Sequence, residues 1–179
     1  MIYTELTKKA MNIAYKAHDG QFDKCGCPYI FHPIHLAESI ITILPAYNDI
    51  IIPNDNEEYL RNIPNDKVYE YLTCVALLHD VVEDSSFTIE DLSKEFPFIV
   101  TQAVDLLTHR KDVDYFDYIY NIKSNFLARS IKILDIIHNK NKDREALIVD
   151  ESQEKKDARD DKYRRALQIL TDDSYKKGE

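Results

Sequence analysis

The chain has 179 residues, 44% of them hydrophobic, which suits a single globular domain and excludes a disordered chain. Its formal net charge of −9 argues against non-specific binding to nucleic acid or an anionic membrane, and no apolar run reaches the roughly 20 residues of a membrane span. Three glycines are too few for many short strands joined by tight turns, and three cysteines suit free thiols rather than a disulfide framework. The N-terminus, MIYTELTKKA, carries acidic and polar groups where a signal peptide needs an apolar stretch, so a cytoplasmic protein is expected.

In chain order, Thr4 to His18 reads as a first helix with Leu6, Ala10, Ile13, Ala14 and Ala17 on one face, stopped at Asp19-Gly20. Gln21 to Phe31 is a loop. Pro33 suits the first position of a second helix, Pro33 to Leu44. Pro45 to Pro64 is a polar, proline-punctuated insertion around 45–65, read as irregular surface; its Asn54–Glu58 cluster lacks the glycine and ligand spacing of a calcium loop. Asp66 to Val82 is a third helix. Thr88 and Asp91 resemble a capping box for a short fourth. Helices follow over Pro97 to Leu107, Tyr115 to Lys123 and Phe126 to His138, with a short one over Asp143 to Val149. Glu154 to Leu170 is a charged amphipathic helix, and the tail around 171–179 frays. The result is an all-α, single-domain chain over 1–179.

The stretch with most chemistry is Val75 to Asp84, VALLHDVVED, where an apolar helix end runs into His79, Asp80, Glu83 and Asp84 with no basic residue among them. An imidazole and three carboxylates on so short a stretch are costly to hold without a cation. His79 and Glu83 are four apart and share a helix face, as do Asp80 and Asp84. Asp135 interrupts the apolar run FLARSIKILDIIH, and a buried aspartate needs a cation or donors. His32 stands rigidly before Pro33. Together His32, His79, Asp80 and Asp135 supply nitrogen and oxygen ligands that suit Mn, Fe, Zn or a similar divalent ion, with coordination room left for water or a phosphate oxygen. Cys25-Gly26-Cys27 has no second thiolate pair to make a soft-metal site.

Four blocks in order carry a resemblance: Ala17-His18-Asp19-Gly20-Gln21, Gly26-Cys27-Pro28-Tyr29-Ile30-Phe31-His32-Pro33, Leu77-Leu78-His79-Asp80-Val81-Val82-Glu83-Asp84, and Lys132-Ile133-Leu134-Asp135-Ile136-Ile137-His138-Asn139. The chain resembles the HD-domain metal-dependent phosphohydrolases, specifically the alarmone hydrolases of the Rel and SpoT type and their small stand-alone relatives. The resemblance implies an HD-domain helical bundle, a manganese ion, and a small phosphorylated nucleotide as partner, with no nucleic acid or membrane. It also implies hydrolysis of a nucleotide 3′-diphosphate with release of pyrophosphate. By the same resemblance His32, His79, Asp80 and Asp135 match metal ligands, and Glu83 and Asp84 match the acids that position the attacking water. Asn139, Lys24, the Arg159–Tyr163 pair and Lys111 match substrate contacts.

Asp23 stands where the family often has an arginine that lies against a guanine base. A carboxylate cannot stack or donate as arginine does, though it can accept from an exocyclic amino group, which leaves guanine and adenine alarmones both open. Two other readings compete: an HD phosphohydrolase for another nucleotide, such as a 5′-nucleotidase, and a non-catalytic nucleotide sensor. His18 and His35 are expected to support the loop around His32, and His109 and His138 to pack or face solvent. Tyr115, Tyr118 and Tyr120 are read as packing residues.

Overall fold

Helix signals in the sequence have visible causes in the computed structural model, which describes residues 2–43, 63–148 and 151–172. The Thr4 hydroxyl accepts the N–H of Thr7, the Thr7 hydroxyl accepts the N–H of Thr4, and α1 (Glu5–Ala17) starts there. Its inner face is Ala10, Ala14 and Ala17, small side chains that let it lie close to its neighbours. After α2 (Phe31–Ile43) come α3 (Asn65–Leu78) and the single turn α4 (Val81–Asp84). Next is α5 (Ile89–Ser93), which opens on the capping box of Thr88 and Asp91. Helices α6 (Phe98–Leu107), α7 (Tyr115–Lys123) and α8 (Phe126–Asn139) follow. The last two are α9 (Lys142–Glu145) and α10 (Gln153–Thr171).

Helix α3 is the axis of the bundle. Leu72 to Leu78 are buried on every side, as expected of a helix that is apolar all round. Helices α1, α2, α6 and α8 pack directly on it, and α7 and α10 close the far side of α8. One continuous core of buried residues runs from Ala10 to Leu170. The fold is all-α: no strand occurs among the described residues. An isolated antiparallel bridge, Phe22 to Pro28, closes the loop between α1 and α2. Gly26 at the tip of that loop has φ 78°, a conformation that costs glycine nothing.

The structure differs from the sequence reading at several element ends. The stretch 66–82 is two helices: α3 stops at Leu78, His79 and Asp80 form the turn between, and α4 carries Glu83 and Asp84. Asp80, at φ −102° and ψ −3°, steps out of the α-helical path, so the two acids do not simply continue the face of α3. Helix α2 begins at Phe31, which puts His32 inside the first turn; Pro33 fits there because first-turn N–H groups have no intrahelical acceptor. The short helix expected over 143–149 is α9, at Lys142–Glu145. Most of the segment 45–64, with its Asn54–Glu58 cluster, lies outside the described residues. So do Val149 and the tail from 173. All three cysteines, Cys25, Cys27 and Cys74, are free thiols.

Candidate active site

Two helices and one turn bring the inner residues together. His32 comes from the first turn of α2, His79 and Asp80 from the turn after α3, and Asp135 from the middle of α8. His32, His79 and Asp135 are buried, and Asp80 keeps 20% of its side chain exposed. Nε2 of His32 lies 3.2 Å from Nε2 of His79, 3.3 Å from Oδ1 of Asp135 and 3.8 Å from Oδ2 of Asp80. Nε2 of His79 is 2.8 Å from the same Asp80 oxygen. Two ligands at right angles on an ion about 2.1 Å away are about 3 Å apart, so these separations fit one coordination sphere.

The donor chemistry fits a cation as well as the spacing does. The Nδ1–H of His79 donates to the carbonyl of Ala76 at 2.8 Å, which leaves a lone pair on Nε2. Lys132 donates to Oδ2 of Asp135 at 2.8 Å, and the Asn139 amide donates to Oδ1 at 2.6 Å. Tyr29 donates its hydroxyl to Oδ2 of Asp80. Burial alone would lower the pKa of His79, yet Asp80 and Asp135 outweigh it and lift the imidazole to about 9. Burial pushes the Asp135 carboxyl up, but Lys132 and His32 outweigh it and hold it well below the usual carboxylate range. The cluster therefore draws positive charge, either a proton on Nε2 of His79 or a cation in its place.

Beside the cluster, Oε2 of Glu83 accepts the backbone N–H of His109 at 3.0 Å. Burial, Asp80 and Glu83 together push the Asp84 carboxyl up to about 6. The other side of the cluster opens, past Tyr29, His32 and Asn139, into a cavity of about 280 Å³. Lys24, Arg144, Arg159 and Tyr163 line it, with the exposed ring of Phe22 at its wall. Arg159 is held between Glu145 and Glu151. Lys111, by contrast, sits in an exposed turn and is absent from the cavity wall.

No family model matches the chain. A guanosine-3′,5′-bis(diphosphate) 3′-pyrophosphohydrolase of Haemophilus influenzae is 37% identical over 93 residues, 52% of this chain and 10% of the relative. Its counterpart of Vibrio cholerae is 31% identical over 101 residues, 56% of this chain and 11% of the relative. A GTP pyrophosphokinase of Streptomyces coelicolor is 31% identical over 109 residues, 60% of this chain and 10% of the relative. The chain thus spans about a tenth of the length of these curated relatives. The solved structure of a metazoan ortholog of SpoT, described as hydrolysing ppGpp and acting in starvation responses, matches with a TM-score of 0.70. That match holds at 21% identity over 96% of this chain and 89% of the other. The fold is therefore that of the SpoT ortholog, an HD-domain helical bundle. In sequence the chain is similar to these relatives over just over half of its own length.

The sequence reading placed Asp23 where a base could meet it, and the structure gives that carboxylate other partners. Asp23 is not free to read a base: Oδ1 accepts the N–H groups of Cys25 and Cys27, both at 2.9 Å, and Oδ2 takes Nη2 of Arg144 at 2.8 Å. An arginine does line the cavity, but it arrives from α9. His138 corrects the sequence reading too. It neither packs passively nor faces solvent; its Nδ1 lies 2.7 Å from Nδ1 of His32, and its ring stacks on His35 at 4.2 Å. Burial, His32 and Arg144 push its pKa down to about 3, so the ring is neutral. His18 does support the loop, with Nδ1 2.8 Å from Oε1 of Gln21. His109 packs on Tyr115 and Tyr118, as expected of a packing residue.

The sequence reading missed Arg144, Lys132 and Tyr29 as parts of the site. Lys132 was within reach of sequence reasoning, since 132, 135 and 139 share one helix face and a buried aspartate needs a partner. Arg144 pairs with Asp23 across 121 positions, and no local pattern signals such a contact.

Proposed function

We propose that the chain hydrolyses nucleotide 3′-diphosphates of the alarmone type, releasing pyrophosphate, with Mn²⁺ as its ion and the cytoplasm as its compartment. The observation that carries the proposal is the cation-drawing cluster of His32, His79, Asp80 and Asp135 opening onto a cavity walled by Lys24, Arg144 and Arg159. The curated relatives named for this reaction and the metazoan structure described as hydrolysing ppGpp support the same substrate class. A divalent ion at the cluster supplies Lewis acidity to a phosphoryl group and lowers the pKa of water.

The chain's own residues do the remainder. The His109 N–H aims Glu83, which orients the attacking water. Asp84, whose carboxyl is raised to about 6, takes up the water's proton more readily than an ordinary aspartate. The water oxygen forms a bond to phosphorus, the bond from phosphorus to the ribose 3′ oxygen breaks, and that oxygen leaves as a hydroxyl with the proton that Asp84 took from the water. Lys24, Arg159 and Tyr163 hold phosphate, while Asn139 positions the nucleotide. Lys111 has no part in this arrangement.

The test is a turnover assay with Mn²⁺, offering the guanine and adenine 3′,5′-bis(diphosphates) side by side and identifying products. Pyrophosphate with the nucleoside 5′-diphosphate is the expected result. Release of orthophosphate, or no turnover with Mn²⁺ bound, overturns the proposal. The ratio between the two bases reports what the Asp23–Arg144 exchange does to base choice.

A further inference from the structure

Arg144 reaches more of the site than any role in the proposed reaction requires. Its Nη2 donates to Asp23, and its Nη1 faces three acceptors: Nδ1 of His138 at 3.0 Å, the His138 carbonyl at 3.2 Å and Oδ1 of Asn139 at 3.3 Å. A guanidinium has no lone pair to offer and keeps its protons, so it is the donor in each contact. Nδ1 of His138 must then be an acceptor, and the single hydrogen of that neutral ring sits on Nε2.

His32 is fixed in turn. Its Nδ1 lies 2.7 Å from the same His138 nitrogen, and two lone pairs cannot make that contact. His32 therefore carries its hydrogen on Nδ1 and donates it, sharing the His138 lone pair with Arg144. The free lone pair of His32 is left on Nε2, the atom that meets His79 and Asp135. His79 reaches the same state by a local route, through the Ala76 carbonyl. The guanidinium also settles the Asn139 amide: with Oδ1 turned to Arg144, the NH₂ group is the one that donates to Asp135. His35, stacked on His138, keeps the ring in plane for both contacts.

We propose that Arg144 is a positioning residue for the metal centre: through His138 it fixes the tautomer of His32, and through Asp23 it ties that setting to the loop carrying Lys24. The inference rests on the metal reading of the cluster. It makes the loop at 21–30 and the inner cluster one hydrogen-bonded unit joined by a residue of neither. Outer partners of this kind change metal affinity by about 10–100-fold when removed.

The experiment has two readouts, neither of which is turnover. Mn²⁺ affinity is measured by direct titration on the wild type, R144M and R144K. Histidine tautomers are read from long-range ¹H–¹⁵N correlations of the ¹⁵N-histidine-labelled chain with diamagnetic Zn²⁺ added. The expected wild-type spectrum has His32 protonated on Nδ1 and His138 on Nε2. R144M is expected to bind Mn²⁺ about 10–100-fold more weakly and to lose the single His138 tautomer. R144K, which keeps one donor but not the fork, should recover part of both. Unchanged affinity and unchanged tautomers in R144M overturn the positioning role, as does a wild-type His138 protonated on Nδ1. Should R144M not fold, the wild-type spectrum still decides, and H138F removes the acceptor while keeping a ring for His35. No Mn²⁺ binding by the wild type would overturn the metal reading itself, whereas binding indifferent to Arg144 overturns only the proposal made here.

Discussion

The inner and outer ends of the site handle charge in opposite ways. At the inner end His32, His79, Asp80 and Asp135 turn lone pairs toward one point, and each is aimed by a neighbour: His138, the Ala76 carbonyl, Tyr29 and Lys132. At the outer end the charges are cationic, and the two arginines are already engaged, Arg144 by Asp23 and Arg159 by Glu145 and Glu151. Lys24 and Lys162 have no ion-pair partner among the described residues, and Lys162 rests over the rings of Tyr115 and Tyr163 at 4.7 and 5.3 Å. The inner end is thus set before a ligand arrives, while in the proposed reaction an arginine at the outer end must exchange a carboxylate for a phosphate. Preorganisation of the first kind favours metal affinity and rate; exchange of the second kind tempers substrate affinity.

Breaking the inner end should have the largest effect. His79→Ala or Asp80→Ala removes a ligand from a buried set, so Mn²⁺ content and turnover should fall together, turnover on the order of 10³-fold or more. Metal analysis beside a kcat measurement checks this, and full turnover by the Asp80 variant would sink the ligand assignment. Glu83→Gln should come next, with turnover down about 10²–10⁴-fold and Mn²⁺ affinity unchanged, because Glu83 is aimed by His109 and not counted among the ligands. A parallel loss of metal in that variant would make Glu83 part of the coordination sphere instead.

The outer end should respond in KM. Lys24→Ala removes an unpaired cation from the cavity wall, and KM should rise about tenfold with kcat kept, the value of one charge-assisted hydrogen bond. Glu151→Gln tests the opposite sign. It relieves one acid from Arg159, so KM should fall by a few-fold; a rise would mean that Glu151 positions Arg159 rather than competing with phosphate for it.

This contrast also explains what could be read from the sequence. The bundle was legible because apolar spacing fixes helical faces, and α3 announces its burial through Leu72 to Leu78. The inner cluster was legible because buried aspartate and histidine are expensive, so Asp135 and His79 stand out from their apolar neighbours. Apart from Lys132, the partners that aim them were hidden. His138 lies in an apolar helix end, and its contact with His32 spans 106 positions. The break after Leu78 was hidden as well, since Val81 and Val82 continue the apolar pattern across the turn that aims Asp80. Charge pairs made across the fold leave no mark in the sequence: Asp23 and Arg159 stood out only through a resemblance, and their partners Arg144 and Glu145 read as ordinary surface residues.

The smallest effect expected is on stability, and its sign follows from Asp23. Burial raises the pKa of this carboxyl, but Arg144 and the N–H groups of Cys27 and Cys25 outweigh burial and leave it lowered in the folded chain. A lowered carboxyl adds stability above its unfolded value of about 3.9, and the contribution disappears as pH falls through the folded value. Asp23→Asn keeps an oxygen for the two N–H groups but turns an NH₂ toward Nη2 of Arg144, so it loses both the charge and the acceptor that face that guanidinium. Its melting temperature should therefore lie below that of the wild type near neutral pH, by about 2–4 °C for each kcal/mol lost. The gap should begin to narrow as pH falls below about 4 and close only below the lowered folded value, where the wild-type carboxyl takes up its proton. A gap that persists unchanged into acid would show that the asparagine is felt through shape and hydrogen bonding, and that the ion pair joining loop to helix contributes little to folding. In that case the Asp23–Arg144 contact would serve the site alone, and the outer end would match the inner one in being built for the ligand rather than for the fold.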